Sequence, residues 1–279
     1  MHPRLLTTPF YTLHTFGVLL AAAYLTALWW LVRSGRQHGI HSDTLTSLGF
    51  WAIFGAIVGA KALMVLRTLS DYLASPADLF SRGFLTSAGD FYGGFIGGVV
   101  ASLIFFRLNP SLSFWALADL CAPAIALGQG IGRIGCFMAG DDYGRAATVP
   151  WAVTFTDPDA ATIGGAPLNV ALHPVQLYES IFCFLLFGLL VWLARRKTFD
   201  GQILIAYSVL YAIGRFIIEF YRGDTDRGFV FSATLGEMLS TSQFIAIIVF
   251  VLAVAAYLAR RHSGLWVPVR ATAGASRRR

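Results

Sequence analysis

Residues 177–193 read LYESIFCFLLFGLLVWL, a run in which Glu179 is the one charged side chain. An α-helix rises 1.5 Å per residue, so about 20 such residues cross the roughly 30 Å of a bilayer's hydrocarbon. The run is continuously apolar. A strand of a membrane barrel would instead alternate apolar and polar residues. Six further runs of the same kind flank it, at 16–32, 45–66, 93–106, 114–131, 203–220 and 244–258. Those at 93–106 and 244–258 are short, with soft ends. The expectation is an all-α polytopic membrane protein with about seven transmembrane helices.

Composition agrees. Of 279 residues 56% are hydrophobic and 13% charged, against about 25% charged in soluble domains, which is too few charges to build a water-facing surface. The net charge of +6 and pI near 9.5 could suit a nucleic-acid partner. The excess sits in short loops and in the tail, so topology accounts for it and no nucleic acid is expected. Cys121, Cys136 and Cys183 show neither CxxC nor Cys/His spacing, so no disulfide framework and no metal site are expected. The first apolar run has little positive charge before it, Arg33 and Arg36 after it, and no clear cleavage site. It reads as a retained span.

With seven spans the termini face opposite sides. The loop 33–44, Arg107, Arg195, Arg196, Lys197, Arg260, Arg261 and Arg270 fall on one side, as do Arg277, Arg278 and Arg279. Basic loops are cytoplasmic, which puts the N-terminus outside and the C-terminus in the cytoplasm. Most acids then lie outside, Asp226 and Glu237 among them. The domain reading is one transmembrane domain over 1–262, with an external insertion at about 141–172 forming a small periplasmic cap with strand-like pieces. A basic, disordered cytoplasmic tail follows over 263–279, suited to anionic membrane lipids.

A charge inside an apolar span costs about 2.5–3.5 kcal/mol on insertion scales, so each needs a partner or a role. Arg215 and Glu219 are four apart, on one helix face. They either lock the helix to its neighbours or form a site in which Arg215 holds an anion and Glu219 steadies its guanidinium. Lys61 either snorkels toward a headgroup region or has a function. Asp119, four residues before Pro123, balances Lys61 or a backbone donor.

The densest stretch is Gly128-Gln129-Gly130-Ile131-Gly132-Arg133-Ile134-Gly135-Cys136, which continues to Asp141, Asp142, Tyr143, Gly144 and Arg145. Its G-x-G-x-x-G spacing follows a membrane span with no βαβ unit, so a dinucleotide fold is excluded. The glycines would let the backbone bend and bring N–H groups to a phosphate. Arg133 would supply charge and a forked donor set. Arg145 would add to it or simply border the headgroups. Gly93-Gly94-Phe95-Ile96-Gly97-Gly98 places small residues four apart, a helix-packing pattern, with Asp90 and Tyr92 just before it. His173, Gln176, Tyr178 and Glu179 crowd the entrance of the fifth span and suggest a site.

These residues resemble the bacterial prolipoprotein diacylglyceryl transferase family, collinearly over nearly the whole chain. The signature G-R-x-G-N-F-x-N-x-E-x-x-G is similar to Gly132, Arg133, Gly135, Cys136, Phe137, Asp141 and Gly144. H-P-x-Q-L-Y-E is matched by His173 to Glu179, and R-F-x-x-E-F-x-R by Arg215 to Arg222. L-S-x-x-Q is matched by Leu239, Ser240 and Gln243. The resemblance implies an inner-membrane enzyme without cofactor. It would move the diacylglyceryl group of phosphatidylglycerol to the lipobox cysteine of a prolipoprotein signal peptide, leaving a thioether and glycerol phosphate. Arg133, Arg215, Glu219, Asp141 and Tyr92 would then be catalytic. Gly93, Gly94, Gly132, Gly135, Cys136, Gly144, His173, Gln176, Tyr178, Glu179 and Arg222 would bind substrate.

The chain departs from the family pattern at four places. Tyr92 stands where many members have a histidine, Cys136 replaces the asparagine, Asp141 shortens the acid, and Phe16 aligns with a tyrosine. The general base is therefore open among Asp141, Asp142, Glu219 and His173. A polytopic transporter using Arg215 and Glu219 as a gate, and a non-catalytic phosphatidylglycerol-binding paralogue, are the alternative readings.

Overall fold

A computed structural model describes residues 2–8, 12–81, 83, 84, 87, 89–224, 228–230 and 239–262. Asp226, Glu237 and the tail 263–279 lie outside these. Seven helices are long and apolar enough to cross a membrane. They are α1 (Thr15–Gln37), α2 (Ser42–Arg67), α3 (Phe91–Leu108), α4 (Phe114–Ala139), α5 (Val175–Ala194), α6 (Gln202–Ile218) and α7 (Thr241–His262). Every expected span is present. The two with soft ends are longer than their apolar runs, because Asp90 caps α3 through Tyr92 N (2.9 Å) and Gly93 N (3.2 Å), and Ser240 and Gln243 cap α7 reciprocally. The second arrangement is a capping box, which gives the L-S-x-x-Q motif a structural role.

The chain forms two compact units, Leu31–Leu117 and the remainder, Met1–Trp30 with Ala118–Arg279. In the first of these α2 and α3 pack backbone to backbone. A Cβ on Gly59 would lie 2.2 Å from Gly93 O, and one on Gly97 would lie 2.2 Å from Gly55 O. This is the small-residue packing expected of residues 93–98. Lys61 neither reaches outward nor faces an acid. Its Nζ donates to Phe84 O, Ser87 O (2.7 Å) and Ser87 Oγ (2.8 Å), fixing the loop after α2. That loop also carries a short helix, Leu69–Ala74, and a 3-10 turn, Pro76–Phe80.

In the larger unit, Ala122 and Ala126 of α4 bury against Leu186 and Leu190 of α5 and Ile203 of α6. Asp119 accepts from Gly201 N (2.8 Å), Ile203 N (2.9 Å) and Leu204 N (3.0 Å) and pairs with Lys197 (3.2 Å). It serves backbone donors, as one expectation had it. The cation it balances is Lys197 rather than Lys61. Between α4 and α5 lies a small sheet, β3 (Val153–Thr154) against β4 (Ala171–Leu172), with a short helix Pro158–Gly164. Phe155, Ala160, Ala166 and Leu172 form its own buried core. An N-terminal hairpin, β1 (Arg4–Thr7) with β2 (Thr12–His14), precedes α1. Arg4 meets Asp159 of the insertion at 2.7 Å.

Candidate active site

The site grows from the end of α4. Gly140 has φ +80, and Asp141 N bonds back to Cys136 O at 3.0 Å. A glycine in the left-handed conformation followed by such a bond is the Schellman closure of a helix. It folds the chain over the last turn of α4. Asp142, itself at φ 53, then sets its carboxylate on Arg133 of that same helix. Gln176 Nε2 of α5 steadies the turn by donating to Asp141 O at 2.7 Å.

The polar entrance of α5 is one face of that helix. Gln176, Glu179, Ser180 and Cys183 recur at helical spacing and are all buried. Ser180 donates to Gly130 O (2.7 Å), and Glu179 takes Arg133 Nε at 3.0 Å. The other oxygen of Glu179 accepts from Tyr211 of α6 at 2.9 Å. Arg215, one turn further along α6, stands 3.9 Å from Glu179 and 2.7 Å from Glu219. Its Nη2 donates to Ser242 of α7 at 3.1 Å. Arg222 closes the cluster, meeting Asp142 at 2.5 Å and Asp224 at 2.8 and 2.5 Å. Among the described residues three guanidiniums thus face four carboxylates, Asp142, Glu179, Glu219 and Asp224, and of these carboxylates only Asp142 keeps more than a tenth of its side chain exposed.

Unpaired buried ions are costly, so the pairing of each guanidinium with carboxylates is what lets the cluster exist. One donor stays unmatched in geometry. Arg215 Nη1 is buried at ion-pair distance from Glu219 yet makes no hydrogen bond. Cys136 Sγ lies 3.7 Å from Arg133 Nη1. Cys136, Asp141 and Asp142 place donor atoms within 4.8 Å of one another, the set a cation would need. Both Asp142 oxygens are already taken by Arg133 and Arg222. Burial alone would raise the Asp142 acid, but the two guanidiniums more than reverse this and hold it below the ordinary aspartate value. Asp141 is the opposite case, pushed up by burial and by the Asp142 charge.

The expected residues Arg133, Cys136, Asp141, Gln176, Glu179, Arg215, Glu219 and Arg222 come together here. His173 and Tyr178 form an adjoining group. His173 Nδ1 is 3.1 Å from Tyr178 Oη, which accepts from Trp151 Nε1 at 2.7 Å, and the His173 ring stands edge-on to Tyr221. Tyr92, Gly93 and Gly94 belong to the other unit. There Gly93 is buried against α2, and Tyr92 N is a capping donor.

One expectation needs correction. Gly128 to Gly135 do not form a bent phosphate loop, because α4 runs helical through all of them and their N–H groups lie within its ladder. Gly130 accommodates the Phe184 ring, Gly135 packs on Phe16 and Leu19, and Gly132 faces open space. The acid on the guanidiniums is Asp142, one residue beyond Asp141, because its left-handed backbone aims it back at α4. Tyr211, Ser242 and Asp224 also join the cluster. Only the four-residue step from Tyr211 to Arg215 on one helix face could have flagged any of these.

The family model described as prolipoprotein diacylglyceryl transferase matches residues 3–259. This chain belongs to the prolipoprotein diacylglyceryl transferase family. It is 34% identical over 244 residues to a Clostridium tetani protein named phosphatidylglycerol–prolipoprotein diacylglyceryl transferase, covering 87% of this chain and 91% of that one. Proteins of the same name from Aliarcobacter butzleri (33% over 261 residues, 89% of each chain) and Bacillus velezensis (31% over 255 residues, 91% and 90%) are similar over the same extent. The diacylglyceryl transferase family is one of membrane enzymes of lipoprotein biosynthesis, and the seven apolar helices accord with that.

Proposed function

We propose that the arginine–carboxylate cluster is where phosphatidylglycerol gives its diacylglyceryl group to the lipobox cysteine thiol of a prolipoprotein. The observation that carries the reading is the convergence of Arg133 and Arg215 on the buried Glu179, with Arg215 Nη1 ion-paired to Glu219 at 2.7 Å but outside hydrogen-bond geometry. A phosphodiester oxygen would give this donor an aligned acceptor. In the reaction the cysteine sulfur bonds to the glyceryl carbon as that carbon's bond to the phosphate oxygen breaks. Glycerol phosphate departs with the electron pair, and the guanidiniums stabilise the charge that gathers on it.

The thiol proton goes to a base, and Asp141 is the group we assign. Asp142 and Glu219 are held by arginines and His173 by Tyr178. The Asp141 carboxyl is raised by burial and by the Asp142 charge, and its side chain keeps a face to solvent. A thiol of ordinary pKa near 8.5 needs only modest help.

The basic loops support an orientation with the N-terminus external, the insertion in the periplasm and the C-terminus in the cytoplasm of a bacterial inner membrane. That orientation brings the cluster to the side where exported precursors arrive. The test is full-length protein in detergent with phosphatidylglycerol and a lipobox peptide, analysed by mass spectrometry. A diacylglyceryl adduct on the cysteine, absent from a peptide with serine there, is the result expected. A folded protein that binds phosphatidylglycerol and makes no adduct would instead be a non-catalytic paralogue.

A further inference from the structure

A cleft of about 460 Å³ opens on the insertion, floored by Ala146, Ala147 and Ala171 and bordered by Arg145 and His173. It is tied to the cluster through backbone. Arg145 N donates to Tyr221 O at 2.9 Å, His173 N donates to Arg145 O at 3.0 Å, and Gly144 bridges antiparallel to Arg222. The approach is close enough to need glycine, since a Cβ on Gly144 would lie 2.2 Å from His173 O and one on Gly223 2.6 Å from Arg145 N. Arg145 therefore follows by one residue the strand position whose partner is Arg222 of the cluster. Its guanidinium is exposed, stands 5.4 Å over the Tyr221 ring, and has no carboxylate partner among the described residues.

Charge balance gives this arrangement a direction. Among the described residues the cluster, three guanidiniums against Asp142, Glu179, Glu219 and Asp224 with Asp141 beside them, is formally negative. A phosphodiester brings a single negative charge. A phosphomonoester, with a second pKa of about 6, brings close to two at neutral pH. Once the carbon–oxygen bond breaks, the leaving group is a worse electrostatic fit for the cluster than the lipid was. The next cation along this backbone pairing with no carboxylate partner among the described residues is Arg145.

We infer that the Arg145–His173 cleft is a phosphomonoester site that takes the released glycerol phosphate from the cluster and passes it to water. This rests on the transferase reading of the cluster. Phosphate could reach the cleft from a free product or from a lipid headgroup, and the two are separated by titration. Glycerol 1-phosphate is titrated calorimetrically into full-length wild type, Arg145→Ala, Arg145→Lys and Arg145→Glu in detergent. Phosphatidylglycerol in mixed micelles is titrated into the same proteins, and the adduct assay is run beside both.

Glycerol phosphate should bind the wild type, about tenfold or more weakly to Arg145→Ala, with part of the affinity restored in Arg145→Lys and none detectable in Arg145→Glu. That loss should exceed any loss of phosphatidylglycerol affinity. The lysine variant keeps the test open where alanine compromises folding. Equal affinity of wild type and Arg145→Ala, or no saturable binding by the wild type, overturns the inference, and so does a loss that falls on phosphatidylglycerol instead. Adduct formation without Arg145-dependent binding removes the cleft alone. Absence of adduct in the wild type removes the transferase reading, and with it the identity of the phosphate as product.

Discussion

Asp142, held at φ 53, reaches Arg222 with one carboxylate oxygen at 2.5 Å and Arg133 with the other. A single side chain thereby sets the spacing of two guanidiniums that come from different helical segments, Arg133 in α4 and Arg222 just past α6. Asparagine tolerates the left-handed backbone, so Asp142→Asn removes the charge and leaves the turn. We expect a loss of about 1–3 kcal/mol in stability and a fall in transfer rate, read by thermal unfolding in detergent and by adduct formation.

The same pair predicts an acid limit. The folded-state acid of Asp142 lies below its unfolded value, so the ionised form is the one folding favours. Its contribution is complete above the ordinary aspartate pKa of about 3.9 and disappears as pH falls through the lower folded value. Melting temperature should drop below about pH 4 in the wild type and drop less steeply in Asp142→Asn. Parallel curves for the two proteins would refute the assignment.

Asp119 offers a control away from the chemistry. Replacing it with alanine strips the Gly201, Ile203 and Leu204 N–H groups of their acceptor and leaves Lys197 with Asp200 alone. Stability should fall by about 2–4 kcal/mol, while the transfer rate per folded molecule stays near that of the wild type.

Packing of α2 on α3 is equally exposed to test. A valine at Gly59 would drive its Cβ to within 2.2 Å of Gly93 O, and backbone cannot yield as a side chain can. Gly59→Val should fail to accumulate as folded protein, seen as loss of the monodisperse peak in detergent, whereas Gly132→Ala, with nothing within 4 Å, should fold normally.

The seven spans were legible because hydrocarbon demands long unbroken apolar runs; their ends moved where Asp90 or Ser240 and Gln243 cap a helix, and where α1 and α4 continue past their apolar runs to Gln37 and Ala139. Arg215 with Glu219 was legible because four residues make one helical turn. The glycine-rich stretch misled because glycine serves close helix contact as readily as it serves a bent loop. Composition does not distinguish Phe184 against Gly130 from a phosphate there. Asp142 was named as a candidate base, but its pairing with two guanidiniums was hidden because it depends on one left-handed residue. Tyr211 on Glu179 and Ser242 on Arg215 arise from tertiary contact between helices that local pattern does not encode. The short helix Leu69–Ala74 and the N-terminal hairpin carry too few periodic residues to announce themselves.

The most direct test is Arg215→Lys, which keeps the charge and loses the planar fork that we assign to the substrate phosphate. Transfer of the diacylglyceryl group to a lipobox peptide should fall roughly 10²- to 10³-fold in a protein that elutes and melts close to the wild type. Transfer within about threefold of the wild type would contradict phosphate recognition at Arg215.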